Sequence, residues 1–235
     1  MNRRLLAAAF ALVAASAAGA HHIWIVPENA AKPNARVIFS DTLMPDEAAL
    51  LQKIGHAKLW LRDHTGKDAP LQWDIDDDSY ALEVPGKGSR TIGASCIYGV
   101  HGWDHRTQKT VDPYLLTYYA KTILGEDSAP KPWDKLALEI IPKISGNEVR
   151  LQVVFQGKPV PKAEMRVQVP GDKRMDLQTD AQGVVVFPVK KTGKYGFQTR
   201  HVEQKPGEYN GKKYVEIRHH STLVLDLAAS GAEKK

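Results

Sequence analysis

The stretch Thr179-Asp180-Ala181-Gln182-Gly183-Val184-Val185-Val186-Phe187 decides the fold class. Its first part, Asp180 to Gly183, combines a turn-forming aspartate with a glycine, which is typical of a hairpin loop. The run from Val184 to Phe187 is apolar and mostly β-branched, so it predicts a buried strand. A second turn of this kind, Gly157-Lys158-Pro159, lies earlier in the chain. Turns that alternate with short apolar segments favour an antiparallel sheet.

Working outward, apolar and polar residues alternate between turn signals along most of the chain, which predicts further strands. The predicted strands are Arg36–Ser40, Ala57–Arg62, Ser79–Val84, Thr91–Tyr98, Leu136–Ile141, Glu148–Phe155, Glu164–Val169, Arg174–Thr179, Gly183–Val189, Lys194–Arg200, Lys213–Arg218 and Ser221–Leu227. One short helix is predicted from Pro45 to a glycine stop at Gly55. We therefore predict an all-β protein of two antiparallel, immunoglobulin-like β-sandwich domains with one short helix.

The domain boundary is predicted at residues 125–135, where Gly125-Glu126-Asp127-Ser128-Ala129-Pro130 has no apolar periodicity. Such composition is typical of a linker between domains. We expect an N-terminal β domain over residues 21–124 and a C-terminal β-sandwich domain over residues 136–230.

The first twenty residues have the composition of a secretory signal peptide. Basic Arg3-Arg4 precedes the apolar segment Leu5 to Val13, and small Ala18 and Ala20 suit signal peptidase. Residues 1–20 are too short to span a membrane. We expect an exported protein, periplasmic or secreted, whose mature chain begins at His21.

Charge and cysteine content exclude several classes of function. The formal net charge of +5 falls to about +3 without the leader, and its lysines are interspersed with acids, so nucleic acid is not an expected partner. Cys96 is the only cysteine, so no intramolecular disulfide forms. It lies in a predicted strand, which favours a buried inert thiol over the alternative of a soft metal ligand. His56, beside the helix end, and His64, in a turn, are interpreted as solvated.

The mature N-terminus is the first candidate metal site, because it joins a free amine to two histidines. The amine and the ring Nδ1 of His21 can chelate one ion, the arrangement called a histidine brace. Alternatively, the amine, the deprotonated backbone nitrogen of His22 and its ring form fused planar chelates. A planar nitrogen field favours Cu(II) or Ni(II). The sequence leaves both modes open.

A selective site also needs ligands from the rigid framework. The best candidate is His101, followed by His105 and His201 and then by one of His219 or His220. His101 and His105 lie four residues apart in a glycine-rich segment that we interpret as a loop. Because neighbouring strand residues point to opposite faces, only one of His219 and His220 can face a given site, and we favour His220.

Several segments resemble an exported bacterial family of unassigned function. They are His21–Ile25, Leu138–Pro142, Gln156–Val160, Thr179–Gly183 and Tyr214–Leu225. Members of that family are associated with nickel and cobalt uptake, as periplasmic partners of energy-coupling-type transporters. The family usually begins with Ala-His and a nearby aromatic residue, which matches Ala20, His21 and Trp24, whereas His22 is an addition. The second half also resembles prealbumin-like modules, a resemblance of fold only.

We interpret the chain as a periplasmic transition-metal-binding protein for nickel, cobalt or copper. The resemblance implies a carrier or accessory component of metal uptake, with an inner-membrane metal transporter as partner. One alternative is a copper redox enzyme with an N-terminal histidine brace. Another is a structural β-sandwich protein whose histidines have no metal role. The sequence has no nucleophile elbow, phosphate loop or dinucleotide fingerprint that would indicate other chemistry.

Overall fold

The computed structural model describes residues 21–28, 34–76, 78–104, 107–125, 131–172 and 174–229. The predicted signal peptide, His105, residues 126–130 of the predicted linker and the C-terminal residues from 230 onward lie outside the described residues.

Strands make up most of the described chain, and helix is confined to one segment, α1 (Ala48–Leu51), which continues as a 3-10 turn (Gln52–Ile54). The strands of the first half are β1 (His22–Glu28), β2 (Asn34–Ser40), β3 (Lys58–Arg62), β4 (Asp68–Pro70), β5 (Asp74–Asp76), β6 (Ser79–Glu83), β7 (Arg90–Asp104) and β8 (Lys109–Leu124). The strands of the second half are β9 (Leu138–Ser145), β10 (Glu148–Phe155), β11 (Lys158–Pro159), β12 (Glu164–Gln168), β13 (Met175–Gln178), β14 (Val184–Pro188), β15 (Gly193–Glu203), β16 (Gly207–Tyr209), β17 (Lys212–Tyr214) and β18 (Glu216–Leu227).

One eight-stranded sheet runs through both halves in the order β13-β12-β15-β18-β8-β7-β3-β4. Adjacent strands in this sheet are antiparallel, except that β8 and β18 are parallel. In the parallel pair, Thr117 lies beside His219 and Tyr118 beside His220. Since β8 and β18 come from different halves, this parallel seam joins the two halves.

Two smaller sheets pack against opposite faces of this long sheet. The sheet β1-β2-β6-β5 covers the face that carries Leu116 and Tyr118, and together they form the first core. The sheet of β9, β10, β11 and β14 covers the face that carries Ile123 and Leu223, which belong to the second core. Because successive side chains of β8 point to opposite faces of the sheet, they pack alternately in the first and the second core.

The first strand, β1, is fixed over the parallel seam. The hydroxyl of Thr222 donates to the carbonyl of Ile23 at 2.6 Å, and the indole nitrogen of Trp24 donates to the carbonyl of Ser40 at 3.0 Å. Trp24 packs above Gly196, where an added Cβ would lie 3.1 Å from the indole ring. These contacts hold the start of β1, and with it His22, against the long sheet.

The prediction of an all-β sandwich with one short helix is confirmed. Two local predictions are wrong. Residues 99–104 belong to strand β7 rather than to a loop, and irregular register at Ile97/Gly99 and His101/Trp103 accommodates the glycines. His219 and His220 lie inside the continuous strand β18, not between two strands. Strands β1 and β8 have no counterpart among the predicted strands.

The predicted domain boundary stays a prediction. The eight-stranded sheet contains strands from both sides of this boundary. Trp133, near the C-terminal end of the predicted linker, is buried at 2% exposure against Gly93. Its indole nitrogen donates to Asp68 at 2.8 Å, so this end of the segment is anchored to the first half.

Candidate metal-binding site

The candidate site forms around His22, the first residue of β1. Its side chain is buried at 2% exposure, and the edges of the Trp24 and Tyr118 rings face it at 6.2 and 6.0 Å between ring centres. Burial lowers the pKa of His22 well below the usual value, and the positive charges of nearby residues act in the same direction. The ring is therefore neutral at physiological pH, the form in which a histidine binds metals.

One nitrogen of His22 is occupied and the other is not. Nε2 lies 2.8 Å from the side-chain amide nitrogen of Gln198, whereas Nδ1 is buried and has no hydrogen-bond partner. The amide of Gln198 can offer either its nitrogen or its oxygen, so it satisfies Nε2 in both tautomers. With the oxygen facing the ring, Nε2 carries the proton and Nδ1 presents a lone pair. A buried polar atom without a partner is costly, and a bound ion would remove that cost.

His220 is the second imidazole at this place. It lies on β18 beside Tyr118 of β8, and its ring centre is 5.1 Å from that of His22. A ligating nitrogen lies about 2 Å from a transition metal, so two imidazoles on one ion have ring centres about 4.5–6 Å apart. The spacing of His22 and His220 falls within that range.

His21 precedes β1 and points toward the helix. Its Nε2 lies 2.8 Å from Oδ2 of Asp46, and its ring lies 5.5 Å from that of Phe39. The backbone N–H of Glu47 and the imidazole of His21 lower the pKa of Asp46, so the carboxylate is charged. A carboxylate on one ring nitrogen leaves the other for a metal, the pattern that orients many metal-binding histidines. Here the remaining nitrogen is Nδ1, which a histidine brace requires.

His101 lies farther away. Its ring stacks on Tyr98 at 5.1 Å, Tyr98 contacts Tyr118 at 5.5 Å, and Tyr118 contacts His22. Two aromatic rings therefore separate His101 from His22. Of its predicted neighbour, His105, the structure describes nothing because it lies outside the described residues.

His201 lies on the other face of the long sheet. It pairs with His219 across β15 and β18, and Phe155 of the second core contacts both rings, at 4.3 and 4.8 Å. His219 and His220 point to opposite faces, as strand alternation predicts. The structure therefore divides the predicted ligands: the rings of His22 and His220 lie together, the ring of His21 contacts Asp46, and His201 lies beside His219 instead.

Cys96, His56 and His64 lie outside this group. Burial raises the pKa of the Cys96 thiol to about 12, and its Sγ lies 3.4 Å from Nε2 of His56. His56 also bonds the carbonyl of Ile97 at 2.7 Å, and His64 lies exposed in a turn. Within the described ranges, no three His, Cys, Asp or Glu side chains already stand at distances suited to a metal ion.

Sequence reasoning missed Gln198 and Asp46, which contact His22 and His21. Gln198 carries no signal, since a polar residue in a strand is ordinary. Asp46 lies in the segment predicted as a helix, and its separation of 25 residues from His21 along the chain hides the contact.

The fold and this site define an all-β sandwich protein with a histidine cluster at its N-terminal strand. The chain belongs to the family described as domain of unknown function DUF4198, whose model matches residues 18–203. No curated protein matches the chain.

Among solved structures, the chain is similar to a two-domain fibronectin type-III segment of chicken tenascin. The sequences are 12% identical, and the alignment covers 86% of this chain and 97% of that chain, with a TM-score of 0.22. A similarity at this level carries no argument about function. Over the part of the chain that the structure describes, no helix is long and apolar enough to cross a membrane.

Proposed function

We propose that this protein is an exported transition-metal-binding protein whose site combines the N-terminus at His21 with the imidazoles of His22 and His220. The proposal includes removal of residues 1–20 as a signal peptide, location in the periplasm or outside the cell, and nickel, cobalt or copper as the ion. The resemblance described above supports a role as carrier or accessory component for an inner-membrane metal transporter.

One observation carries the proposal: the Nδ1 atom of His22 is buried without a partner while a second imidazole, His220, lies 5.1 Å away. A histidine that served only in packing would be expected to satisfy both nitrogens. The hydrogen bond between Gln198 and Nε2 fixes the orientation of the His22 ring, so a metal ion that binds Nδ1 meets an oriented ligand.

The free Nδ1 atoms suit both chelate modes. Nδ1 of His22 can close a planar chelate with its own backbone nitrogen and the amine of His21. Nδ1 of His21, left open by Asp46, can close a brace with the same amine. Both are nitrogen-rich, and nitrogen ligands favour Cu(II) and Ni(II). The amine is accessible as a ligand because its ordinary pKa is about 8.

The test compares the mature chain, beginning at His21, with the same chain carrying one extra N-terminal residue. Calorimetric titration with Cu(II) and Ni(II) should give at least about tenfold weaker binding for the extended chain, or about 1.4 kcal/mol. His220→Ala should weaken binding similarly, whereas His64→Ala, an exposed turn histidine, is the matched control and should not. Circular dichroism checks the fold, and mass spectrometry of the exported protein checks the cleavage site.

Equal affinity in the extended chain would remove the amine from the site, and equal affinity in His220→Ala would remove the second imidazole. Absence of any metal binding would favour the structural interpretation of the protein.

A copper redox enzyme is the second candidate, and the contact of Asp46 with His21 favours it because that contact leaves Nδ1 for a brace. Turnover of the copper-loaded protein with a reductant and oxygen would support an enzyme. Tight copper binding without turnover would support a carrier.

A further inference from the structure

We propose a second metal site on the opposite face of the long sheet, formed by His201, Glu203 and His219 and suited to a divalent first-row ion such as Zn(II), Co(II) or Fe(II). His201 and Glu203 are two residues apart on β15, so both point to one face, and His219 lies directly opposite His201 on β18. Two imidazoles and a carboxylate on one face leave the remaining coordination positions open.

The carboxylate already points at the histidine. Oε2 of Glu203 lies 3.2 Å from Nε2 of His219. The Glu203 side chain is 24% exposed, so an ion can reach the carboxylate from solvent. An ion would take the place of the proton between these two atoms. His201 and His219 both have a pKa below the ordinary value because of burial, so their neutral forms are available as ligands.

If Nε2 of His219 binds a metal, the ring proton must be on Nδ1, and the groups around Nδ1 can accept that proton in a hydrogen bond. Nδ1 lies 2.9 Å from the hydroxyl of Thr117 and 3.3 Å from that of Tyr119, and a hydroxyl can either donate or accept. With a metal on Nε2, Nδ1–H donates to Thr117, which itself donates to the carbonyl of Arg218 at 3.4 Å. Such outer partners fix the ring of a ligating histidine.

Binding requires a small movement. The ring centres of His201 and His219 lie 6.5 Å apart, just beyond the range of about 4.5–6 Å for two imidazoles on one ion. A side-chain rotation of the partly exposed His201 closes this gap of about 0.5 Å, since His219 is buried and held. Phe155 packs on both rings and keeps water from their core side.

The test uses a chain in which the first site is disabled by an extra N-terminal residue and by His22→Gln, so that no residue of β18 is substituted. Titration with Co(II) alone, followed by its visible absorption, should show one bound ion. Glu203→Gln and His201→Gln in this background should weaken binding at least about tenfold. Val202→Ala is the matched control, because Val202 lies between the two ligands and points to the other face, and it should bind as the parent does.

Failure to bind Co(II) at millimolar concentration in the disabled chain would overturn the second site, even if the first site binds normally. Binding that persists equally in Glu203→Gln and His201→Gln would also overturn it. Because these ligands lie on the other face from His22, loss of the first site leaves this prediction standing. Circular dichroism of each variant confirms that the fold is intact.

Discussion

Lys121→Met tests the contact that ties the parallel seam to the second core. The Nζ atom of Lys121, on β8, lies 2.5 Å from Oε1 of Glu139 on β9, and both side chains are only 2% exposed. The other carboxylate oxygen accepts the backbone N–H of Trp133 at 2.8 Å. Without the ammonium, the buried Glu139 carboxylate keeps the hydrogen bond from Trp133 but loses its positively charged partner. Breaking a buried pair in this way costs about 3–5 kcal/mol.

The measurement is urea unfolding followed by tryptophan fluorescence. The double variant Lys121→Met/Glu139→Gln removes the charge but keeps an acceptor for Trp133, so it should recover at least about 2 kcal/mol of the loss. Lys191→Met is the matched control. Its pair with Asp172 has a similar distance, 2.7 Å, but side chains about half exposed, and it should change stability by less than about 1 kcal/mol. A Lys121→Met variant that loses no more than this control would refute the reasoning.

Three further predictions concern other parts of the chain. Gly93→Ala should destabilise the protein by about 1–3 kcal/mol in the same assay, because the new Cβ would lie 2.6 Å from the ring of Trp133. Iodoacetamide at pH 8 should label Cys96 only after unfolding, since a pKa of about 12 leaves about one thiol in 10,000 ionised. Limited proteolysis should cut within residues 125–135 before either core, because that segment has linker composition.

Each of these has a contrary outcome. Wild-type stability of Gly93→Ala would mean that the indole ring can shift without loss. Labelling of the native thiol at the rate of the unfolded chain would contradict its burial. A segment that resists protease as firmly as the strands would make the two halves one continuous domain.

Local chemistry was sufficient to predict much of the second half. The predicted strand Glu148–Phe155 coincides with β10, because turns flank it and its burial alternates. The turn at Asp180 forms as its sequence indicates: the carboxylate of Asp180 accepts the backbone N–H groups of Gln182 and Val184. Gly183 has a φ of 71°, and an added Cβ there would meet the Val160 backbone at 2.9 Å. These features depend on residues close together in the chain.

The sequence by itself determined the all-β class, the short helix, the turns and the set of histidines, because propensity and periodicity act over a few residues. The tertiary structure alone decided the long sheet and the grouping of the histidines. Strand β8 was not predicted because its centre, Leu115 to Tyr118, is buried on both faces, so buried and exposed side chains do not alternate there. The seam between β8 and β18 brings Thr117 to His219, and β1 lies over it with His22 beside His220. These partners are about 100 to 200 residues apart, and only the register of paired strands brings them together.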